Sequence, residues 1–282
     1  MSHNIGEKGT VMIEIQNLTK VFQEQTVLQN INATFDAGLI HGVIGKNGAG
    51  KTVLLRLLCG LMHPSKGQVI VDGKQLGKDV DFAPDAGIII ETPCFLPYLS
   101  GFQNLKELAS IRNIISKEEI AEAMEQVKLD PSSRKHVGKY SLGMRQRLGI
   151  AQAIMERPRY LILDEPMNGL DTQGMEDVRE LLQKQKETGV TVILASHSME
   201  DIARVADRVL VMNESKVFLF DETAKVFSHA KELEQIGLRV PQVTKIMMKL
   251  HENGYPVDPA VFTLEQAVKE ILPLVQRGAA ND

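Results

Sequence analysis

Residues 45–52 read Gly45-Lys46-Asn47-Gly48-Ala49-Gly50-Lys51-Thr52 and match the phosphate-binding loop pattern G-x-x-x-x-G-K-[ST] in full. The apolar run Leu39–Ile44 before them favours a buried strand, and Val53–Leu61 after them is apolar at helical spacing. Glycines let such a loop wrap tightly, so that several backbone N–H groups converge on phosphate oxygens at the N-terminus of the helix. The stretch therefore predicts a P-loop core and a nucleoside triphosphate as its ligand.

The loop pattern also predicts individual roles. Lys51 would reach the β- and γ-phosphates, and the Thr52 hydroxyl would bind Mg²⁺. The predicted nucleotide-binding residues of this stretch are Gly45, Asn47, Gly48, Ala49, Gly50, Lys51, Thr52 and Val53.

The composition is typical of a soluble protein with one large or two modest domains, since 43% of its 282 residues are hydrophobic. A formal net charge of −4 gives no electrostatic reason to expect a nucleic-acid partner. Two cysteines, Cys59 and Cys94, are too few for a disulfide framework and fit a reducing cytoplasm. We expect no signal peptide, because Met1–Thr10 is polar, and no membrane span, because no window approaches 18 consecutive apolar residues.

Strand-like segments lie on both sides of the loop. The early ones, which we assign to an N-terminal antiparallel β subdomain, are Met12–Leu18, Val27–Phe35 and Gln68–Val71. Strands and helices alternate later in the chain, at Tyr160–Leu163, Met175–Lys186, Val190–Ser196, Met199–Ala206, Val209–Met212 and Val217–Phe220. This alternation predicts an α/β fold with a parallel sheet covered on both faces.

Two regions break the alternation. Residues 92–157 carry apolar positions at helical spacing and are predicted to be a helical subdomain, with helices at Leu105–Ile115, Lys117–Leu129 and Ser141–Glu156. Beyond about Glu222, one predicted helix runs from Pro241 to Leu250 and another opens at the capping box Thr263-Leu264-Glu265-Gln266. We therefore predict a nucleotide-binding domain over 12–221 and a small C-terminal helical domain over 222–282.

A pair of carboxylates follows the strand Tyr160–Leu163 directly. Asp164 is placed to hold Mg²⁺ through its waters beside the phosphate loop. Glu165 would project toward the γ-phosphate, where it could orient and deprotonate the attacking water.

With these segments in order, residues Ile13 to Leu219 resemble the nucleotide-binding subunit of ABC transporters. The stretch Tyr140-Ser141-Leu142-Gly143-Met144 stands where that family carries L-S-G-G-Q, with Ser141 and Gly143 kept. The resemblance implies that these two residues bind the γ-phosphate held by a second subunit. It also implies that Asp171 belongs to a loop at the dimer interface, that His197 contacts the γ-phosphate and that Phe22 stacks on adenine.

Two further features indicate different branches of the family. Glu91 stands where the family has a glutamine that ligates Mg²⁺ and water, and a carboxylate keeps an oxygen ligand. Glu91 together with the altered signature is similar to the exporters of drugs and peptide antibiotics, of bacitracin and lantibiotic type. The tail, with Gly237–Thr244 and Phe262–Val268, instead resembles energy-coupling-factor ATPases, which power vitamin or metal uptake. We give the core more weight and expect export, with uptake as the alternative.

The resemblance implies an ATPase with ATP and Mg²⁺ as cofactors, catalytic residues Glu165, His197 and Glu91, and metal ligands Thr52, Glu91 and Asp164. One loop and one signature per chain imply a head-to-tail dimer with a second copy or a paralogue. Expected partners are transmembrane permease subunits, at the inner face of the cell membrane. They would dock near the apolar cluster Phe95, Leu96, Tyr98, Leu99 and Phe102, which could equally be the subdomain's own core. A soluble ABC ATPase of DNA repair or translation, or a binding module without catalysis, are the remaining hypotheses.

Overall fold

The fold is seen in a computed structural model that describes residues 12–91 and 93–279. Its strands are β1 Met12–Phe22, β2 Gln25–Asp36, β3 Ile40–Gly45, β4 Lys66–Val71, β5 Lys74–Gln75, β6 Ala86–Ile89, β7 Tyr160–Asp164, β8 Thr191–Ala195, β9 Arg208–Asn213 and β10 Lys216–Glu222. Its helices are α1 Lys51–Cys59, α2 Gly101–Arg112, α3 Lys117–Gln126, α4 Leu142–Ile154, α5 Thr172–Glu187, α6 Met199–Val205, α7 Thr223–Ser228, α8 Ala230–Gln235, α9 Gln242–Glu252 and α10 Leu264–Ala279. The predictions for Met1–Thr10, for Thr92 and for residues 280–282 lie outside the described part of the chain.

Two sheets carry the architecture, and the predicted α/β class with an antiparallel N-terminal subdomain is confirmed. The smaller sheet has the order β2-β1-β4-β5 and is antiparallel throughout. The larger has the order β10-β9-β3-β8-β7-β6 and is parallel except for the β9–β10 pair. A hydrogen bond from the Gln29 N–H in β2 to the Ser215 carbonyl, 2.7 Å long, ties the edges of the two sheets together.

The larger sheet separates two hydrophobic cores because successive side chains of a strand point to opposite faces. In β7, Leu161 and Leu163 pack with α4, α5 and α6, whereas Tyr160 and Ile162 pack with α1 and the smaller sheet. Every residue of β3, β7 and β8 is buried, which explains why these strands read as continuous apolar runs in the sequence.

The predicted helical subdomain contains α2, α3 and α4. Capping boxes begin the first two, with Ser100 and Gln103 for α2 and Ser116 and Glu119 for α3. Ser141 caps α4 by accepting a hydrogen bond from the Met144 N–H, at 3.2 Å. Within the described residues, no helix combines the length and the apolarity needed to cross a bilayer.

The C-terminal residues divide between two packing environments. Val226, Phe227, Leu238 and Val240 are buried against the parallel sheet's main core. A separate small cluster is formed by Met247, Val257, Val261 and Ala267. The short helices α7 and α8 are not predicted from the sequence, because neither has a side-chain N-cap to indicate its start. The boundary at residue 222 stays a prediction.

Gly87 in β6 provides a test of how tightly α4 packs on the sheet. A Cβ atom at this position would overlap the carbonyl oxygen of Ala153. We expect Gly87→Ala to lower the free energy of unfolding by about 3 kcal/mol, the upper end of ordinary overpacking, as measured by urea denaturation.

The control is Gly73→Ala in the turn between β4 and β5. Gly73 has φ +76° and no atom within 4 Å of a built Cβ, so that backbone strain alone should cost about 1 kcal/mol. Equal losses of unfolding free energy in Gly87→Ala and Gly73→Ala would mean that α4 can shift away from β6 at little cost.

Candidate functional site

The phosphate loop connects the end of β3 to the start of α1. Gly48 and Gly50 adopt φ of +81° and +94°, in the left-handed region that favours glycine. A Cβ at Gly50 would lie 2.7 Å from Leu28 Cδ2 and 3.0 Å from the Val27 carbonyl oxygen, so β2 packs directly behind the loop. No atom lies within 4 Å of a Cβ built on Gly48, so this part of the loop faces open space. The remaining loop residues Asn47 and Ala49, and Val53 in α1, lie where the sequence predicts.

Lys51 is the positive centre of the loop. Its Nζ donates hydrogen bonds to the carbonyl oxygens of Gly45, at 2.8 Å, and Lys46, at 3.4 Å. Burial lowers the pKa of the Lys51 ammonium, while the nearby carboxylates of Glu165 and Asp164 act in the opposite direction. A phosphate anion in the loop would favour the charged form further, so the ammonium is positioned to gain a strong charge-assisted partner.

Asp164 and Thr52 meet at the carboxyl edge of the sheet. The Thr52 hydroxyl donates a 2.6 Å hydrogen bond to Asp164 Oδ2, and Asp164 is buried. The pair brings hydroxyl and carboxylate oxygens together, which is the donor type that Mg²⁺ prefers. These residues therefore fit the predicted metal ion.

Glu165 follows in a strained backbone position with φ +48°. Its N–H donates to the Ala195 carbonyl at 2.9 Å, which holds it at the end of β8. Glu165 Oε2 lies 2.9 Å from His197 Nδ1 and accepts a 3.2 Å hydrogen bond from Ser196 Oγ. The carboxylate predicted to be the base is thus oriented by two side chains that follow the neighbouring strand.

Glu91 also adopts a left-handed backbone, with φ +66°, and forms an ion pair with Arg56. Neither Arg56 nor Ser196 is predicted from the sequence to be a site residue. A signal for Arg56 exists, because it lies four residues after Thr52 and therefore on the same face of α1. Ser196 could have been found as the residue between β8 and His197.

Ser141 and Gly143 lie at the start of α4, close to the loop that follows Glu165. A Cβ at Gly143 would be 3.0 Å from the Gly169 carbonyl oxygen. The buried Gln146 donates to the Pro166 carbonyl at 3.1 Å and so fixes α4 against the same loop. Asp171 caps α5 by accepting a 2.8 Å hydrogen bond from the Gly174 N–H. The role of these residues toward a second subunit's nucleotide stays a prediction.

Phe22 lies at the tip of the β1–β2 hairpin, where it pairs with Gln25. Its side chain is 40% exposed, and the Lys20 ammonium lies 5.0 Å from the ring centroid. Phe22 is the last residue of β1, which pairs with β2, and β2 packs behind the loop at Gly50. An exposed ring is available for stacking on a base, and that role of Phe22 stays a prediction.

Comparison with known proteins agrees with this geometry. A sequence profile of the family described as ABC transporter matches residues 28–168. The chain is 43% identical over 246 residues to the bacitracin transport ATP-binding protein BcrA of Enterococcus faecalis, covering 86% of this chain and 79% of the relative. It is 35% identical over 280 residues to the energy-coupling factor transporter ATP-binding protein EcfA2 of Clostridium perfringens, covering 94% and 98%.

Among solved structures, the fold is similar to the dimeric, post-hydrolysis state of the ATP-binding cassette MJ0796 bound to ADP and Pi. The TM-score is 0.67 with 21% identity, over 75% of this chain and 98% of that one. At this identity the likeness concerns the fold alone.

The hydrogen bond between Thr52 and Asp164 can be tested without nucleotide. Thr52→Ala leaves a buried carboxylate without its hydroxyl donor, and we expect a loss of about 1–3 kcal/mol in the free energy of unfolding in urea. Thr52→Ser keeps the hydroxyl and should recover most of that loss. Similar values for both variants would contradict a stabilising role of the hydroxyl.

Proposed function

The chain belongs to the ABC transporter family as an ATP-binding, ATP-hydrolysing subunit, and from that membership we propose that it works in a head-to-tail dimer that drives a separate membrane permease. The observation that carries the proposal is that the predicted site residues form two separate groups. Lys51, Asp164 and His197 lie together at one edge of the sheet, whereas Gly143, two residues after Ser141, approaches the loop after Glu165 at Gly169. A second subunit would bring its own signature residues to the exposed face of the phosphate loop.

Each residue of the edge has a chemical task in hydrolysis. Lys51 and the loop N–H groups would bind the β- and γ-phosphates and favour the charge that develops on them. Glu165, oriented by His197 and Ser196, would accept a proton from the attacking water. Mg²⁺, held by Thr52, Asp164 and Glu91, would neutralise phosphate charge. Glu91 is paired with Arg56 in this structure, which supports a loop whose carboxylate would exchange Arg56 for Mg²⁺ when the nucleotide binds.

Closure and reopening of the dimer would transmit the energy of ATP. ATP would bridge the phosphate loop of one subunit and the start of α4 of the other, and hydrolysis would remove that bridge. The partner is a second copy or a paralogue. Gln146 and the contact between Gly143 and Gly169 support this coupling, since they link α4 to the strand end that carries Glu165.

Glu165→Gln tests the dimer. An amide cannot accept the proton of the attacking water, so we expect ATP hydrolysis to slow at least about 100-fold. The bound ATP should then hold the dimer together, and the variant should elute as a dimer in size exclusion with ATP and Mg²⁺.

The matched control is Glu187→Gln, the same substitution at an exposed position at the end of α5. It should hydrolyse ATP and elute as wild type does. A monomeric Glu165→Gln variant in saturating ATP would overturn the dimer proposal.

A permease would dock beside the segment that follows Glu91. The apolar cluster predicted there divides in two: Phe95 and Phe102 pack against the main core, while Leu96 and Tyr98 are 44% and 63% exposed. The exposed pair supports a docking surface for a short helix of the permease. Through this contact the subunit would sit at the inner face of the cell membrane.

A photo-crosslinking amino acid in place of Tyr98 tests this surface. Coexpressed with a permease found among the neighbouring genes, the chain should crosslink to that permease. Replacement of Tyr255, which is 53% exposed in the C-terminal region, is the control and should give no such product. Crosslinking from the Tyr255 position alone would contradict the proposed surface.

For transport direction we propose export of a drug or peptide. The chain is 43% identical, over 86% of its length, to a bacitracin transport ATP-binding protein, and Glu91 together with the altered signature supports the same branch. Uptake of a vitamin or metal is the second candidate, because the likeness to EcfA2 spans 94% of the chain, including its C-terminal region. Neighbouring genes distinguish the two: an exporter-type six-helix permease favours export, and a coupling subunit with substrate-binding partners favours uptake.

A further inference from the structure

A cleft of about 480 Å³ lies beside the phosphate loop, and the C-terminal region forms one of its walls. The core supplies Lys46 and Asn47 from the loop and His197 from the end of β8. The facing wall is Gly237-Leu238-Arg239, the segment between α8 and α9.

The segment is held firmly against the loop. Leu238 and Val240 are buried in the main core on either side of the exposed Arg239. Gly237 has φ +75°, and a Cβ there would lie 2.5 Å from Lys46 Nζ. The Leu238 N–H donates to the Leu233 carbonyl at 2.9 Å, which adds a backbone anchor. Arg239 therefore projects from a fixed backbone rather than from a loose linker.

The charge of the cleft indicates an anion. Its lining includes the cations Lys46 and Arg239, and among the described residues that line it there is no carboxylate. Within residues 12–91 and 93–279, Arg239 makes no ion pair and no side-chain hydrogen bond. A guanidinium without a partner, fixed beside a phosphate loop, suits bidentate binding of a phosphate group.

We propose that Arg239 binds the terminal phosphate of ATP from the side of the C-terminal region and so makes affinity depend on the γ-phosphate. The inference rests on the proposed role of His197 at that phosphate, because Arg239 and His197 line the same cleft. It also gives the C-terminal region a direct contact with the nucleotide state, because ADP lacks the group that Arg239 would bind.

Calorimetric titration of the full chain with a non-hydrolysable ATP analogue and with ADP, both with Mg²⁺, tests the proposal. A charge-assisted contact of ordinary strength corresponds to a loss of about tenfold or more in affinity when it is removed. Arg239→Ala should show this loss for the ATP analogue and change ADP affinity by less than about twofold. Arg239→Lys, which keeps the charge, should lose less.

The control is Lys249→Ala, which removes an equal charge from an exposed position of α9 outside the cleft. It should bind both nucleotides as wild type does. Equal losses for ATP analogue and ADP, or no loss at all, would overturn the role of Arg239. Arg239→Ala can also be introduced into the Glu165→Gln variant. If it weakened that dimer while the affinity for the ATP analogue stayed unchanged, the proposed contact would be overturned and Arg239 would be assigned to the second subunit. Failure of the wild-type chain to bind ATP would instead defeat the proposed function.

Discussion

Parallel backbone pairing of β3, β8 and β7 is the constraint on which the site depends. Ala195 at the end of β8 pairs with Asp164 on one side and with Val43 on the other. β7 and β8 therefore end together and β3 ends two residues further on, so that the residues that follow the three strands meet at one edge: the phosphate loop, Glu165, and Ser196 with His197. A shift of one residue in either register would turn the following side chains to the opposite face of the sheet. The chemistry thus requires a correct ladder before any individual contact.

Burial on both faces keeps that ladder in register. Every residue of these strands is buried, and alternate side chains belong to two separate cores. This packing also supports the left-handed backbone of Glu165, which is unfavourable for a residue with a Cβ. The Glu165 N–H finds its acceptor in the next strand, so the strained residue still has its backbone hydrogen bond. Strain at the predicted catalytic position is therefore tolerated because the neighbouring strands are fully buried and supply its hydrogen bond.

Two other regions, the helical subdomain and the C-terminal region, contact this edge of the sheet. Each can respond when a nucleotide binds there. The start of α4 is linked to the loop after Glu165 through Gln146 and Gly143. The C-terminal region reaches the phosphate loop through Gly237, whose backbone packs on Lys46. Glu91, held by Arg56, joins α1 to the helical subdomain. A change at the γ-phosphate position can therefore be transmitted through these few contacts to the surfaces proposed for a second subunit, a permease and the C-terminal domain.

Local sequence patterns were enough to predict the loop Gly45–Thr52, the carboxylates Asp164 and Glu165, the capping box Thr263–Gln266, and the alternation that specifies a parallel sheet. These features are local, because glycine spacing, side-chain caps and apolar periodicity act within a few residues. Three contacts follow from the folded chain alone: Arg56 pairs with Glu91, Ser196 and His197 orient Glu165, and Gly237-Leu238-Arg239 faces the phosphate loop. The partners in these contacts are 31 to 193 positions apart, and no local pattern specifies which distant surfaces the packed cores bring together.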